Sequence, residues 1–265
     1  PDIDARHPPG RSPMYAAAET GYPPAVKFLL ARGAEADARA VNGTTALCMA
    51  AKIGSVESVE ALLAHGARVD IRTNDGLSPL LYVSGAAGPH FLIPPDGAYT
   101  EIFQMLAAHG ARLDDKTPAG ETPLFLAAMD GRADLVQTLL DLKQDPNAPN
   151  QENQTALFVA ARGGHAKVVA QLLAHQADHT ATTALGETPL FIAASGGHFE
   201  TVKTLLDHGA SLTATTSAGE TALSIAEKHG HRPIVTLLRR RATRPADTAP
   251  PSLSMDAPAS TRPKS

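Results

Sequence analysis

The chain has little of the residue types that mark several common classes of protein. Its 265 residues include one cysteine (Cys48) and no tryptophan, and aromatic residues make up only 4%. One cysteine excludes an intrachain disulfide and fits a reducing compartment without requiring one. No run of about 18 apolar residues occurs, which excludes a helical membrane span. The net charge of −4 and the pI near 6.3 argue against a nucleic-acid-binding protein, which is usually strongly basic.

What the chain does contain is a repeated stretch. Gly-Glu-Thr-Pro-Leu-Phe begins at Gly120 and again at Gly186. Looser copies occur along the chain, and each has Ser or Thr at the same point: Ser12, Thr45, Ser78, Thr122, Thr155, Thr188 and Thr221. The steps between these residues are 33, 33, 44, 33, 33 and 33. A period of about 33 predicts a stacked array of repeat units. We number the units 1 to 7 by these residues, and we number equivalent positions from them.

Each unit carries the local chemistry of two short helices. Gly stands two residues before the Ser or Thr, replaced only by Asn153, which predicts a turn with positive φ. The Ser or Thr is a predicted N-cap, and Pro follows it in four units. A second helix with an apolar stripe ends at a Gly such as Gly66 or Gly209. In units 4 and 5, Lys143 and Gln176 stand at that Gly position. They cost about 1 kcal/mol each if the helices end in the same way; otherwise these helices end differently or are less rigid.

This pattern closely resembles the ankyrin repeat family: a turn, Thr-Pro-Leu-His, an Ala pair, Gly-His, a Val/Leu helix and Gly-Ala, over about residues 1 to 240. The resemblance implies an all-α ankyrin solenoid of seven helix-turn-helix units with β-hairpin-like fingers. It also implies binding of another protein along the concave face of fingers and first helices, without catalytic residues. Three units have Phe125, Phe158 and Phe191 where the family has His. We predict that these rings pack in the core.

The pattern divides the chain into a repeat domain at 1–241 and a tail at 242–265, which is rich in Pro, Ala and Ser and predicted to be disordered. Unit 3 is 11 residues longer than the others, and the excess falls between its two helices, within 85–100. This insertion is a predicted loop carrying His90, Phe91 and Tyr99. It either contacts a partner or folds back over unit 3. The first and last units are predicted caps with polar outer faces.

Two rows of charge are predicted along the fingers. Six residues before the caps, the first four units have bases: Arg6, Arg39, Arg72 and Lys116. One residue before the caps, later units have acids: Glu121, Glu187 and Glu220. These rows are candidate partner-binding residues. In the alternative, the acids two residues before each base neutralise the basic row: Asp4, Asp37, Asp70 and Asp114. Exposed pairs of this kind contribute about 0–1 kcal/mol each.

Catalysis and metal binding find little support. The histidines recur one per unit, which does not build a metal cluster, and no phosphate loop or nucleophile motif is present. We therefore predict no enzyme activity, no catalytic residue, no metal and no cofactor. The expected function is a protein-protein interaction module or scaffold, monomeric, intracellular and cytoplasmic, with neither nucleic acid nor membrane as partner. Alternatives are a regulatory domain excised from a larger protein and a secreted microbial effector that binds host proteins. The first residue is Pro and not Met, which is compatible with a processed or excised piece.

Overall fold

The chain folds into consecutive helical pairs in a computed structural model that describes residues 3–5, 10–85 and 97–243. The helices are α1 (Pro13–Glu19), α2 (Pro23–Ala31), α3 (Ala46–Ile53), α4 (Val56–Ala64), α5 (Pro79–Ser84), α6 (Ala98–Ala108), α7 (Pro123–Met129), α8 (Ala133–Asp141), α9 (Ala156–Arg162), α10 (Ala166–Ala174), α11 (Pro189–Ser195), α12 (Phe199–Asp207), α13 (Ala222–Lys228) and α14 (Arg232–Thr243). Within these described ranges there is no β-strand, only an isolated antiparallel bridge between Thr215 and Thr221. The fold is an all-α solenoid.

The helices stack in two layers. The odd-numbered helices, which we call inner helices, contact one another in chain order, and the even-numbered outer helices do the same. Apolar side chains between the layers form a continuous core. Phe125, Phe158 and Phe191 lie in this core with 2%, 3% and 6% of their surface exposed. The prediction that the three rings pack in the core is therefore confirmed.

Each inner helix begins at its predicted cap. In every unit the Ser or Thr hydroxyl accepts a hydrogen bond from the amide three residues later, at 3.1–3.4 Å. The preceding turn has the predicted positive φ, and Asn153 adopts it at 58°. Both features follow from interactions within a few residues of chain, which is why the sequence pattern alone predicts them.

Lys143 and Gln176 keep the helix ending that glycine provides elsewhere. Their φ angles are 61° and 64°, inside the left-handed region. The capping bonds also persist: the amide of Gln144 donates to the carbonyl of Leu139 at 3.1 Å, as Ala177 donates to Leu172 at 3.0 Å. Of the alternatives that the sequence left open, the structure has the one in which these helices end as in the other units.

Replacing Lys143 or Gln176 with glycine should stabilise the protein by about 0.5–1 kcal/mol at each site, because the left-handed strain exceeds the entropy lost by glycine. A Cβ at the equivalent Gly66 would meet no atom within 4 Å, so steric contacts do not add to the difference between these positions. Urea unfolding at 25 °C measures the change. Gly66→Lys is the reverse control and should lose a similar amount. A Lys143→Gly variant no more stable than the parent would contradict the expectation.

The insertion of unit 3 lies between its two helices, as predicted. Helix α5 ends at Ser84, and Gly97, with φ of 80°, precedes α6. Residues 86–96, which include His90 and Phe91, lie outside the described residues. The assignment of Tyr99 to the loop is wrong, because Tyr99 is the second residue of α6.

The first unit departs from the expected polar cap, and the last helix is longer than the sequence pattern suggests. Helix α14 runs to Thr243, two residues past the predicted end of the repeat domain, and residues 244–265 lie outside the described part of the chain. Unit 1 exposes two large side chains, Tyr22 at 58% and Phe28 at 57%. The predicted polar outer face of unit 1 is therefore wrong.

Candidate functional site

A short hairpin, or finger, precedes the inner helix in each of units 2 to 7. In unit 3 the amide of Thr73 donates to the carbonyl of Leu77, and the amide of Gly76 donates back to Thr73, both at 2.9 Å. The Thr73 hydroxyl also accepts the Leu77 amide at 3.2 Å. The same pair of backbone bonds closes the fingers of units 2 to 7. Each finger is thus fixed by its own hydrogen bonds.

Neighbouring fingers are also joined to each other through their backbones. Three amide-to-carbonyl bonds of 2.9 Å connect units 2 with 3, 4 with 5, and 6 with 7: Asn74 to Asn42, Gln151 to Ala119, and Ser217 to Leu185. Side-chain amides add further bonds, since Asn74 Nδ2 donates to the carbonyl of Val41 at 3.0 Å. Within each of these three pairs, the finger backbones are held together and side chains of adjacent units lie side by side.

The structure places the predicted basic row in register. Arg39 Nη2 donates to the carbonyl of Arg72 in the next finger at 2.8 Å. Lys116 is exposed at the same position of unit 4. Arg6, the first member of the row, lies outside the described residues.

Arg72 differs from Lys116 because its charge is neutralised within the protein. It forms an ion pair with Asp115, whose side chain is only 5% exposed. Asp115 Oδ2 also accepts the Ser78 hydroxyl at 2.5 Å, and Arg72 Nη1 donates to the carbonyl of Gly76 at 2.6 Å. Arg72 thus joins unit 3 to unit 4, and it offers a partner less free charge than the sequence pattern suggests.

In units 3 and 4 the predicted pairing between that basic row and the acids two residues earlier is wrong. Asp70 pairs with Arg68 at 3.0 Å, and Asp114 pairs with Arg112 at 3.1 Å. These hydrogen bonds lower the pKa of both carboxyl groups. Asp37, at the same position of unit 2, accepts the backbone amide of Arg68 at 3.0 Å. The acids therefore face the loop that follows the outer helix, not the base of the finger.

The acidic row is half-buried and engaged within its own units. The contacts are Thr117 Oγ1 to Glu121 at 2.9 Å, Thr183 Oγ1 to Glu187 at 3.2 Å, and Lys228 Nζ to Glu220 at 3.0 Å. Two of these carboxylates brace a finger, and the third is paired with a lysine. Among the described residues, Lys228 neutralises Glu220, whereas Glu121 and Glu187 are held by neutral hydroxyls and keep their negative charge.

Tyr99 belongs to a row of side chains that connect each unit to the preceding one. Its hydroxyl donates to the carbonyl of Lys52 at 3.4 Å. Histidines at the same position of units 5, 6 and 7 donate from Nε2 to the equivalent carbonyls at 2.9–3.0 Å: His165 to Met129, His198 to Arg162, and His231 to Ser195. Burial raises the pKa of the Tyr99 phenol. Tyr99 therefore holds the stack together.

Four further side chains, two exposed and apolar and two basic without an ion pair among the described residues, were not predicted from the sequence. Val41 and Leu185 stand at finger tips with 71% and 61% of their surface exposed. Lys52 and Arg162 share one position of the inner helices, and no ion pair is formed by either among the described residues. The sequence could have identified them by their position in the repeat. Val41 and Leu185 lie four and three residues before a cap, and Lys52 and Arg162 lie seven residues after one.

Within the ranges that the structure describes, no three His, Cys, Asp or Glu side chains are grouped so as to hold a metal ion. In the same ranges, none of the helices is both long and apolar enough to cross a membrane.

Comparison with known proteins identifies the repeat. The sequence profile described as "Ankyrin repeats (3 copies)" matches residues 2–88, 92–183 and 176–248. Among solved structures, the crystal structure of the human ASB11 ankyrin repeat domain is 27% identical, with a TM-score of 0.75. The match covers 89% of this chain and 100% of that one. A search of curated proteins finds no match.

Proposed function

Because the chain belongs to the ankyrin repeat family, we propose that it binds another protein along the concave face made by its fingers and inner helices. The fold supplies an ordered surface and leaves the side chains at the finger tips unused by the core. A reducing compartment inside the cell suits the single, buried Cys48.

The observation that carries the proposal is the combination of exposed apolar tips with unpaired bases. Val41 and Leu185 are held out from hydrogen-bonded fingers, while Lys52, Lys116 and Arg162 have no carboxylate partner in the described part of the chain. Interfaces derive most of their energy from a few desolvated apolar or cationic anchors. Complementary charge directs the encounter. A partner segment with apolar side chains next to carboxylates fits this surface.

Affinity capture with matched baits tests the proposal. The finger variant combines Val41→Ser, Lys116→Ala and Leu185→Ser. The control variant combines Glu60→Ala, Glu200→Ala and Lys203→Ala, which are exposed positions on outer helices. We expect the finger variant to lose capture of the partner by about tenfold or more, corresponding to about 1.4 kcal/mol, while the control retains it. Added salt should weaken capture by the parent chain.

Equal losses in both variants, or full retention by the finger variant, would place the binding surface elsewhere. A third bait without residues 86–96 separates any contribution of the insertion, whose role stays a prediction. The two alternatives, a regulatory domain of a larger protein and a secreted effector, make use of the same surface, so the same variants test them.

A further inference from the structure

The side of unit 1 that faces away from unit 2 repeats positions with which later units contact the unit before them. Tyr22 occupies the same position as Tyr99 and His165. Those two side chains donate to carbonyls of the preceding unit, at 3.4 Å and 3.0 Å. The Tyr22 side chain is 58% exposed and has no hydrogen-bond partner among the described residues. A tyrosine at this position is therefore built to reach an acceptor in a preceding unit, as Tyr99 does.

A second residue, Phe28 of α2, also stands at a position with which later units contact the unit before them. Phe28 is equivalent to Gln171 of unit 5, whose side-chain amide donates to the carbonyl of Ala133 and to Gln137 Oε1 of unit 4, at 3.1 Å and 3.2 Å. In unit 2 the equivalent Ala61 is 8% exposed, whereas Phe28 is 57% exposed. An aromatic ring at a stacking position leaves a large apolar surface in water.

A third position supplies charge. Arg32 is equivalent to Arg241 of unit 7, which pairs with Asp207 at the end of the outer helix of unit 6. Arg32 stacks on the Phe28 ring, with Cζ 4.8 Å from the ring centroid. It forms no ion pair among the described residues. Its partner in a continued stack would be an acid at the position of Asp207.

We propose that Tyr22, Phe28 and Arg32 form a docking face for a two-helix ankyrin-type unit with an acidic residue at the end of its second helix. A carbonyl at the end of its first helix accepts the Tyr22 hydroxyl, its second helix covers Phe28, and its acid pairs with Arg32. This docking face continues the stacking interface of units 1 to 7 and is independent of the proposed finger surface.

A second copy of this chain is the wrong occupant on grounds of charge. If unit 7 of one molecule stacked on unit 1 of another, Arg240 would take the place of Asp207. It would then face Arg32, and like charges in direct contact oppose association. The docking face therefore agrees with a chain that is monomeric by itself.

A full chain carrying one added unit tests the docking face. A copy of residues 180–212 is joined directly to Asp4 in place of residues 1–3, which preserves the register and supplies the Ser195 carbonyl and the Asp207 carboxylate. We expect one cooperative urea transition, with a midpoint raised by about 0.5 M and a steeper slope, since more surface is buried. Acetylation of Tyr22 by N-acetylimidazole should slow by about tenfold or more, because the hydroxyl becomes covered and hydrogen-bonded.

Two matched fusions test whether the gain in urea midpoint depends on the proposed contacts of Arg32 and Phe28. Changing the copied Asp207 to Arg should remove part of the gain in midpoint, and Phe28→Glu in unit 1 should remove most of it. A separate, earlier transition for the added unit, or equal gains in all three fusions, would overturn the proposal. Concentration-dependent association of the unmodified chain in sedimentation velocity would show instead that a second copy is the occupant.

Discussion

Replacing Arg72 with alanine should lower the free energy of unfolding by about 3 kcal/mol, because the change leaves a buried carboxylate without its cation. Asp115 is 5% exposed and, among the residues that the structure describes, retains only the Ser78 hydroxyl and a backbone amide as donors. Because Arg72 is itself 43% exposed, water solvates part of its charge in the folded protein. We therefore expect a loss of stability at the low end of the range for buried ion pairs. Urea unfolding at pH 7 measures the change.

The double variant Arg72→Ala/Asp115→Ala provides the decisive comparison. Five other units have alanine at the position of Asp115, so that side chain fits the site: Ala5, Ala38, Ala148, Ala181 and Ala214. Removing the acid should restore stability to within about 1 kcal/mol of the parent, a recovery of about 2 kcal/mol relative to Arg72→Ala. Lys116→Ala, at the position equivalent to Arg72 but exposed, should change stability by less than about 0.5 kcal/mol. A double variant no more stable than Arg72→Ala would mean that packing, and not the charge of Asp115, sets the cost.

Replacing Arg132 with methionine should also cost about 3 kcal/mol, through a different network at the same junction. Arg132 is 13% exposed, pairs with Asp130 at 2.9 Å, and lies 3.9 Å from the centroid of the Tyr99 ring. Its Nη1 also donates to the carbonyl of Val83 in the last turn of α5. Methionine retains much of the volume but none of the five donors. Lys167→Met, which breaks an exposed pair with Asp134, is the control and should cost no more than about 1 kcal/mol.

The pH dependence of the stability lost in the Arg132→Met variant shows whether that loss comes from the charge of Asp130. Burial raises the pKa of Asp130, while Arg132 opposes that rise. A carboxyl whose pKa is raised on folding binds more protons in the folded state, so stability falls as pH increases through the folded pKa. Without Arg132 the pKa rises further, and the destabilisation should be larger at pH 7 than near pH 5. Adding Asp130→Asn should remove that difference. A loss of stability independent of pH would assign the effect to packing and to the Val83 carbonyl.

Both networks join unit 3, which carries the insertion, to unit 4. Asp115 and Arg72 act on the finger side, and Asp130 and Arg132 act on the helix side. Units 5 to 7 connect to the preceding unit through a histidine at the position of Arg132. Because α5 ends at Ser84 before the insertion, the longer arginine reaches back to Val83. Charged groups thus maintain the stack where its regular spacing is interrupted.

The sequence by itself determined the repeat, the caps and the core rings. The hydroxyl of Thr122 caps the helix that follows it within three residues, and Asn153 adopts positive φ through its own backbone preference. The insertion could also be located, because the other units provide the spacing against which it is measured. These features depend on residues close in the chain or on the period itself, so no distant contact had to be known.

Only the tertiary structure decided which charges are paired and which side chains are free. The partner of Arg72 lies 43 residues away in the next unit, and the acceptor for Tyr99 lies 47 residues away in the unit before. From the spacing within one unit, Asp70 was a candidate partner of Arg72, and Tyr99 was expected to lie in the loop. A stack brings each residue against the neighbouring units, so the partner depends on side-chain direction and length across the interface, which a one-dimensional pattern does not contain. The same physical reason explains why Phe28 and Tyr22 resemble ordinary helix residues in sequence and form an open stacking face in the fold.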